Sequence, residues 1–163
     1  MPDTEASHAE IRITSPAFEY GQPIPTLYTC DGSDVSPELR WSEGPVARSF
    51  ALVCDDPDAP RGTWIHWVLY NLPGQTVELA QGVPPSLQLP SGARHGKNTW
   101  SKPGYGGPCP PPGNPHHYFF RLYALDISLN LDPGGTKDEL EKSMTGHILG
   151  QGTLMGTYKR VSR

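Results

Sequence analysis

The segment Asp55-Asp56-Pro57-Asp58-Ala59-Pro60 follows an apolar run and precedes a histidine, His66, set between Ile65 and Trp67. Two prolines stiffen the turn, and its carboxylates can hydrogen-bond nearby amides. A histidine in so apolar a strand needs a partner for each ring nitrogen. Further on, His116 and His117 open another apolar segment, followed by Tyr118. Neighbouring side chains on a strand point to opposite faces. His116 and Tyr118 therefore share a face, while His117 turns to solvent or covers an edge.

Three chemistries could use these groups. Two histidines and a carboxylate can bind iron or zinc, but no HxH or HxxxH spacing is present. Aspartate and histidine are common acid–base groups in hydrolases. A nucleophile is harder to find, since there is no GxSxG elbow and no serine stands out. An anion pocket fits better, because histidines, a tyrosine and glycine-loop N–H groups are donors. A carboxylate behind a histidine fixes its tautomer and favours its protonated form. On this reading His66 and His116 donate to the anion, Asp56 holds one or both rings, and Asp58 braces the turn.

The elements that must carry these groups read mainly as strands. Glu10–Thr14 alternates, Ser49–Cys54 and Ile65–Leu72 are buried strands, and Tyr118–Leu125 and Thr153–Val161 follow. Residues 80–115 look irregular, and long loops in compact domains are often functional. Gly104–Pro115 is too rich in proline for a helix, and its glycines allow backbone to approach a ligand. Thr136–Leu149 reads as the one clear helix. Thr136 and Glu139 fit a capping box, Leu140, Met144 and Ile148 share a face, and Gly150 is the expected C-cap. Tight functional turns exploit the weak trans preference of X–Pro bonds, so a cis peptide is expected at Ala59–Pro60.

The 163 residues suit a loose tail over 1–9 and a single domain over 10–163. A net charge of −4 and the lack of a basic stripe argue against nucleic acid. No apolar run is long enough to cross a bilayer, and the polar N-terminus lacks the pattern of a signal peptide. A cytoplasmic location is the expectation, with Cys30, Cys54 and Cys109 as reduced thiols. A homodimer is compatible with the sequence.

DPDAP at Asp56–Pro60, IHWVLYNLP from Ile65 and GPCPPPGNPHHYFF from Gly107 resemble the phosphatidylethanolamine-binding protein family, in its bacterial and archaeal Raf-kinase-inhibitor-like branch. YTCDGSDVSPELRW from Tyr28 and GHILGQGTLMGTYKR from Gly146 agree, so the likeness spans about Ile13 to Arg160. The resemblance implies a mainly β fold, two packed antiparallel sheets with one principal helix near the C-terminus. It implies a pocket for phosphate or a phospholipid head group, built from Asp56, Asp58, His66, His116 and Tyr118 with backbone of Gly106, Gly107 and Pro108. An arginine usually follows the second histidine in that family; His117 stands there in this chain. The resemblance also implies a non-enzymatic role without metal or cofactor, with a kinase or protease as protein partner. The alternative is a hydrolase of a small phosphorylated or ester substrate.

Overall fold

The structure, a computed structural model, describes residues 9–161. Among these residues nine strands and one α-helix follow in chain order, besides a short 3-10 turn at Thr26–Tyr28: β1 (Ala9–Glu10), β2 (Arg12–Thr14), β3 (Leu39–Ser42), β4 (Ser49–Asp56), β5 (Trp64–Pro73), β6 (Glu78–Leu79), β7 (Arg94–His95), β8 (His116–Leu125), α1 (Lys137–Met144) and β9 (Ile148–Tyr158). The main sheet runs β1-β9-β8-β4-β5-β7, and β2-β3-β6 form a smaller one. All pairings are antiparallel except β1 with β9.

Strand β4 explains the layering. All eight of its residues are buried, as expected for a strand covered on both faces. Phe50, Leu52 and Cys54 pack toward Ile13, Leu39 and Trp41 of the small sheet. Ala51 and Val53 face the other way, onto Leu140 and Met144 of α1. Full burial of one such leucine or methionine stabilises by about 1.5–3 kcal/mol. The mainly β fold with one helix near the C-terminus is thus the one expected.

Several boundaries differ. The expected first strand is two: β1 joins the main sheet and β2 the small one, with Ile11 buried between them. The expected tail lies outside the described residues, except for Ala9, which opens β1. The capping box forms as expected, Thr136 Oγ1 accepting from the Glu139 amide. However, α1 ends at Met144, five residues early. Gly146 takes φ +84°, and Ile148 starts β9 against Leu125. Ile148 fits the helical spacing, but a strand partner claims it.

Two covalent expectations are overturned. Among the described residues no peptide bond is cis, so Ala59–Pro60 is trans. Cys30 and Cys109 form a disulfide, with Cα atoms 5.4 Å apart across a sequence separation of 79. Cys54 alone remains a thiol, buried in β4, and burial pushes its pKa well up. Among the described residues no helix is long and apolar enough to cross a membrane.

Candidate functional site

Parity along β4 and β8 builds one half of the site. Asp55 pairs with Phe119 and Cys54 with Phe120, so alternate residues face alternate layers. Asp55 falls on the α1 side, where Arg121 grips it through Nε at 2.8 Å and Nη2 at 3.1 Å. Asp56, His116 and Tyr118 fall on the opposite side and line one cavity. Asp56 is 3 % exposed. Its Oδ1 accepts from the Asp58 amide at 2.8 Å, and its Oδ2 from His116 Nδ1 at 2.7 Å. A carboxylate can only accept, so Nδ1 of His116 carries a proton and Nε2 is left for a ligand.

His117 turns away from the cavity, as alternation requires, but it is not idle. Its backbone N–H and its Nδ1 both donate to Asp58 Oδ2, at 2.9 and 2.6 Å. That hydrogen bond from His117 lowers the Asp58 pKa. Asp58 does not line the cavity; it ties the turn to the start of β8.

Strand β5 supplies the other half through a bulge. Ile65 pairs with Asp55, yet Trp67 pairs with Cys54, so His66 is one residue too many for β4. A bulge re-aims side chains, and here His66 joins Trp64 on the cavity wall while Trp67 enters the core. His66 is 3 % exposed, with the rings of Trp100 and Tyr118 at near right angles to it, 5.1 and 5.2 Å away. Its Nδ1 donates to Gly106 O at 2.7 Å, and Gly106 N donates to His66 O at 3.0 Å. Burial lowers the His66 pKa, against the raising pull of the Gly106 carbonyl and Asp56. Asp56 was expected to hold one or both rings; it holds that of His116, and His66 has another partner. A carbonyl holds it, burial favours the neutral ring, and in that form Nε2 presents a lone pair.

The glycine–proline loop forms the roof. A Cβ on Gly106 would stand 2.5 Å from the Trp100 ring, and one on Gly107 only 2.1 Å from Tyr28 O. Both positions need the close approach that only glycine allows. Gly107 N donates to Asp34 Oδ1 at 2.8 Å. Pro108 lies behind the wall, its carbonyl accepting from Cys30 N at 3.1 Å. The disulfide sits at the rim. The cavity measures about 580 Å³. Tyr118 Oη and Trp64 Nε1 are buried without a hydrogen-bond partner among the described residues. Burial, and then the Asp56 carboxylate, push the Tyr118 hydroxyl far above its ordinary pKa.

Of the residues expected at the site, the structure brings Asp56, His66, Gly106, Gly107, His116 and Tyr118 to one cavity, and leaves Asp58 and Pro108 just outside it. Asp34, Trp64, Trp100 and Lys102 also line it and were not anticipated. The only signal for Trp100 and Lys102 was the irregular stretch 80–115 itself. Asp34 carries a subtler one, a non-glycine residue at φ +60° whose side chain bonds across to the roof.

The family described as Phosphatidylethanolamine-binding protein matches residues 14–159. A relative named UPF0098 protein, from Methanothermobacter thermautotrophicus, is 47% identical over 151 residues, which cover 92% of this chain and 99% of the relative. Two crystal structures match with TM-scores of 0.85. One is the phosphatidylethanolamine-binding protein homolog CT736 of Chlamydia trachomatis, 43% identical, with 93% of this chain and 98% of that one covered. The other is YbcL of E. coli, described as a member of the mammalian PEBP family, 31% identical, with 93% and 99% covered.

Proposed function

Since this chain belongs to the phosphatidylethanolamine-binding protein family, we propose that its cavity binds a small phosphate-bearing ligand, a phosphate monoester or phospholipid head group, without turning it over. The Asp56–His116 pair carries the reading. With Nδ1 committed to Asp56, an anion against Nε2 requires that nitrogen to bear a proton as well. The imidazolium then stands between two negative groups, the carboxylate behind and the phosphate in front. The unpartnered Tyr118 hydroxyl and Trp64 indole N–H supply further donors at the same wall. The neutral His66 suits a phosphate that still carries a P–OH proton, because its Nε2 accepts.

Turnover is not part of the proposal. Among the described residues the cavity lining holds no serine or threonine, both rim cysteines are spent in the disulfide, and Tyr118 resists ionisation. A role toward a kinase or protease rests on the family alone. The disulfide favours an oxidising compartment over the cytoplasmic location expected from the N-terminal sequence.

Calorimetric titration of ethyl phosphate tests the reading. His116→Ala removes a charge-assisted hydrogen bond of roughly 1.5–3 kcal/mol, about ten- to a hundredfold in affinity. His117→Ala leaves the cavity wall intact and changes affinity little. Equal affinities for wild type and His116→Ala would place the anion elsewhere. Phosphatase or esterase activity abolished by His116→Ala would establish the hydrolase instead.

A further inference from the structure

The cavity is larger than the group the Asp56–His116 wall can hold. About 580 Å³ lies within the roughly 300–1,000 Å³ range of sites that bury a drug-sized ligand. A phosphate group fills a small part of that, so the rest of the ligand lies against the loop that closes the mouth. That loop, residues 97–104, is built rather than loose. Asn98, 7 % exposed, donates to Gly104 O at 3.0 Å and accepts from Trp100 N at 2.9 Å and Lys102 N at 3.2 Å. Ile65 N donates to Thr99 Oγ1 at 2.7 Å and Thr99 N returns a bond to Ile65 O at 2.8 Å, which pins the loop to β5. Trp100 lies against Gly106, and its ring meets His66 edge-on. Lys102 follows two residues later and is the one lysine or arginine on the cavity wall among the described residues. Its ammonium makes no ion pair or hydrogen bond there.

We propose that Lys102 and Trp100 form an outer subsite that selects a phosphate ester carrying a second anionic group, a carboxylate or another phosphate. The proposal rests on the phosphate reading of the inner wall. Trp100 gives the linking carbons an apolar face, and Lys102 gives the second anion its only cationic partner. Apart from the His116 ring, which the phosphate itself engages, the other charged groups on the wall are carboxylates. Asp56 is occupied by His116 and the Asp58 amide, and Asp34 commits one oxygen to Gly107 N–H. A ligand whose second group is an ammonium would turn to Asp34 and away from Lys102, so the two rankings are opposite.

The test is a comparison of three phosphate esters by calorimetry: 3-phosphoglycerate with an anionic second group, phosphoethanolamine with a cationic one, and ethyl phosphate with none. Wild type binds 3-phosphoglycerate about 1.5- to fivefold more tightly than ethyl phosphate, the range for a charged contact near solvent. Lys102→Met keeps the apolar stem, and the ratio of the two affinities falls toward one. Lys102→Glu reverses the order and favours phosphoethanolamine. A lysine that merely supported the loop would shift all three ligands together and leave the ratio alone. Tightest binding of phosphoethanolamine by wild type, or a ratio unmoved in both variants, overturns the subsite while the inner wall stands. Failure of all three esters to bind, or binding indifferent to His116→Ala, overturns the inner-wall reading and the subsite with it.

Discussion

Asp56→Asn replaces one carboxylate oxygen with an N–H₂ group and should invert the chemistry of His116. In the native site the carboxylate accepts twice, from the Asp58 amide at 2.8 Å and from His116 Nδ1 at 2.7 Å, in a side chain 4% exposed. Asparagine has one acceptor oxygen and one N–H₂ group. If its oxygen keeps the Asp58 amide, its N–H₂ confronts His116 Nδ1–H. Two donors facing each other in a buried site would cost about 1–3 kcal/mol. The ring avoids this by moving its proton to Nε2, so that Nδ1 accepts. The neutral ring now offers Nε2–H to a phosphate directly, but no carboxylate stands behind it. A charge-assisted bond of about 1.5–3 kcal/mol becomes a neutral one of about 0.5–1.5 kcal/mol. The difference, about 1–1.5 kcal/mol, is roughly five- to twelvefold in affinity. Long-range proton–nitrogen correlation spectra of the imidazoles report the tautomer. Calorimetry of ethyl phosphate in buffers of differing ionisation enthalpy reports the proton. Wild type takes one up on binding wherever the free ring is neutral, and the variant does not. Nδ1–H persisting in Asp56→Asn, or proton uptake unchanged, would refute the assignment of Asp56 as the group that orients His116.

Three further outcomes are expected. The Cys30→Ser/Cys109→Ser double variant loses about 2–4 kcal/mol in urea unfolding, and an unchanged midpoint would mean that the bond does not constrain the unfolded chain. Burial lowers the pKa of both His66 and His95, so the unfolded chain binds protons that the native state refuses. Stability is full above an unfolded value of about 6.5 and falls as pH drops through it toward the native values. His95→Gln keeps a donor for Ser86 O and an acceptor for Trp67 Nε1, and should flatten the melting-temperature profile below pH ~6.5; a profile as steep as wild type's would argue against His95 as a contributor. Gly107→Ala forces the roof away from Tyr28 O and should cost about 1–3 kcal/mol of stability along with phosphate affinity. Wild-type behaviour in both measurements would show that the roof yields freely.

Where two-residue alternation holds, the site could be read in advance. His116 and Tyr118 share a face and His117 leaves it, because β8 pairs with β9 without a slip over this stretch. Alternation fails on β5, where the bulge puts His66 and Trp67 on one side, and no residue type there announces it. The partner of His66 is a backbone carbonyl 40 residues away, which side-chain chemistry cannot nominate. The disulfide joins cysteines 79 residues apart in sequence, and only the fold brings their Cα atoms within reach. The helix was visible at its start, where the cap is a local hydrogen-bond pattern, and blurred at its end. There the competition between α1 and β9 for Ile148 is settled by Leu125.

The disulfide also divides the chain topologically. It closes a covalent circle from Cys30 to Cys109 that contains β3 to β7 and leaves β1, β2, β8, α1 and β9 as two tails. The main sheet respects that division. Its order, β1-β9-β8-β4-β5-β7, places every circled strand on one side and every tail strand on the other, with a single seam between β8 and β4. The cavity straddles the seam, for Asp56 and His66 belong to the circle while His116 and Tyr118 belong to a tail. Whatever occupies it is therefore a stitch between a closed loop of chain and an open one. Its grip should be felt as resistance to peeling the C-terminal strands from the sheet, a mechanical quantity that pulling on the two termini would measure.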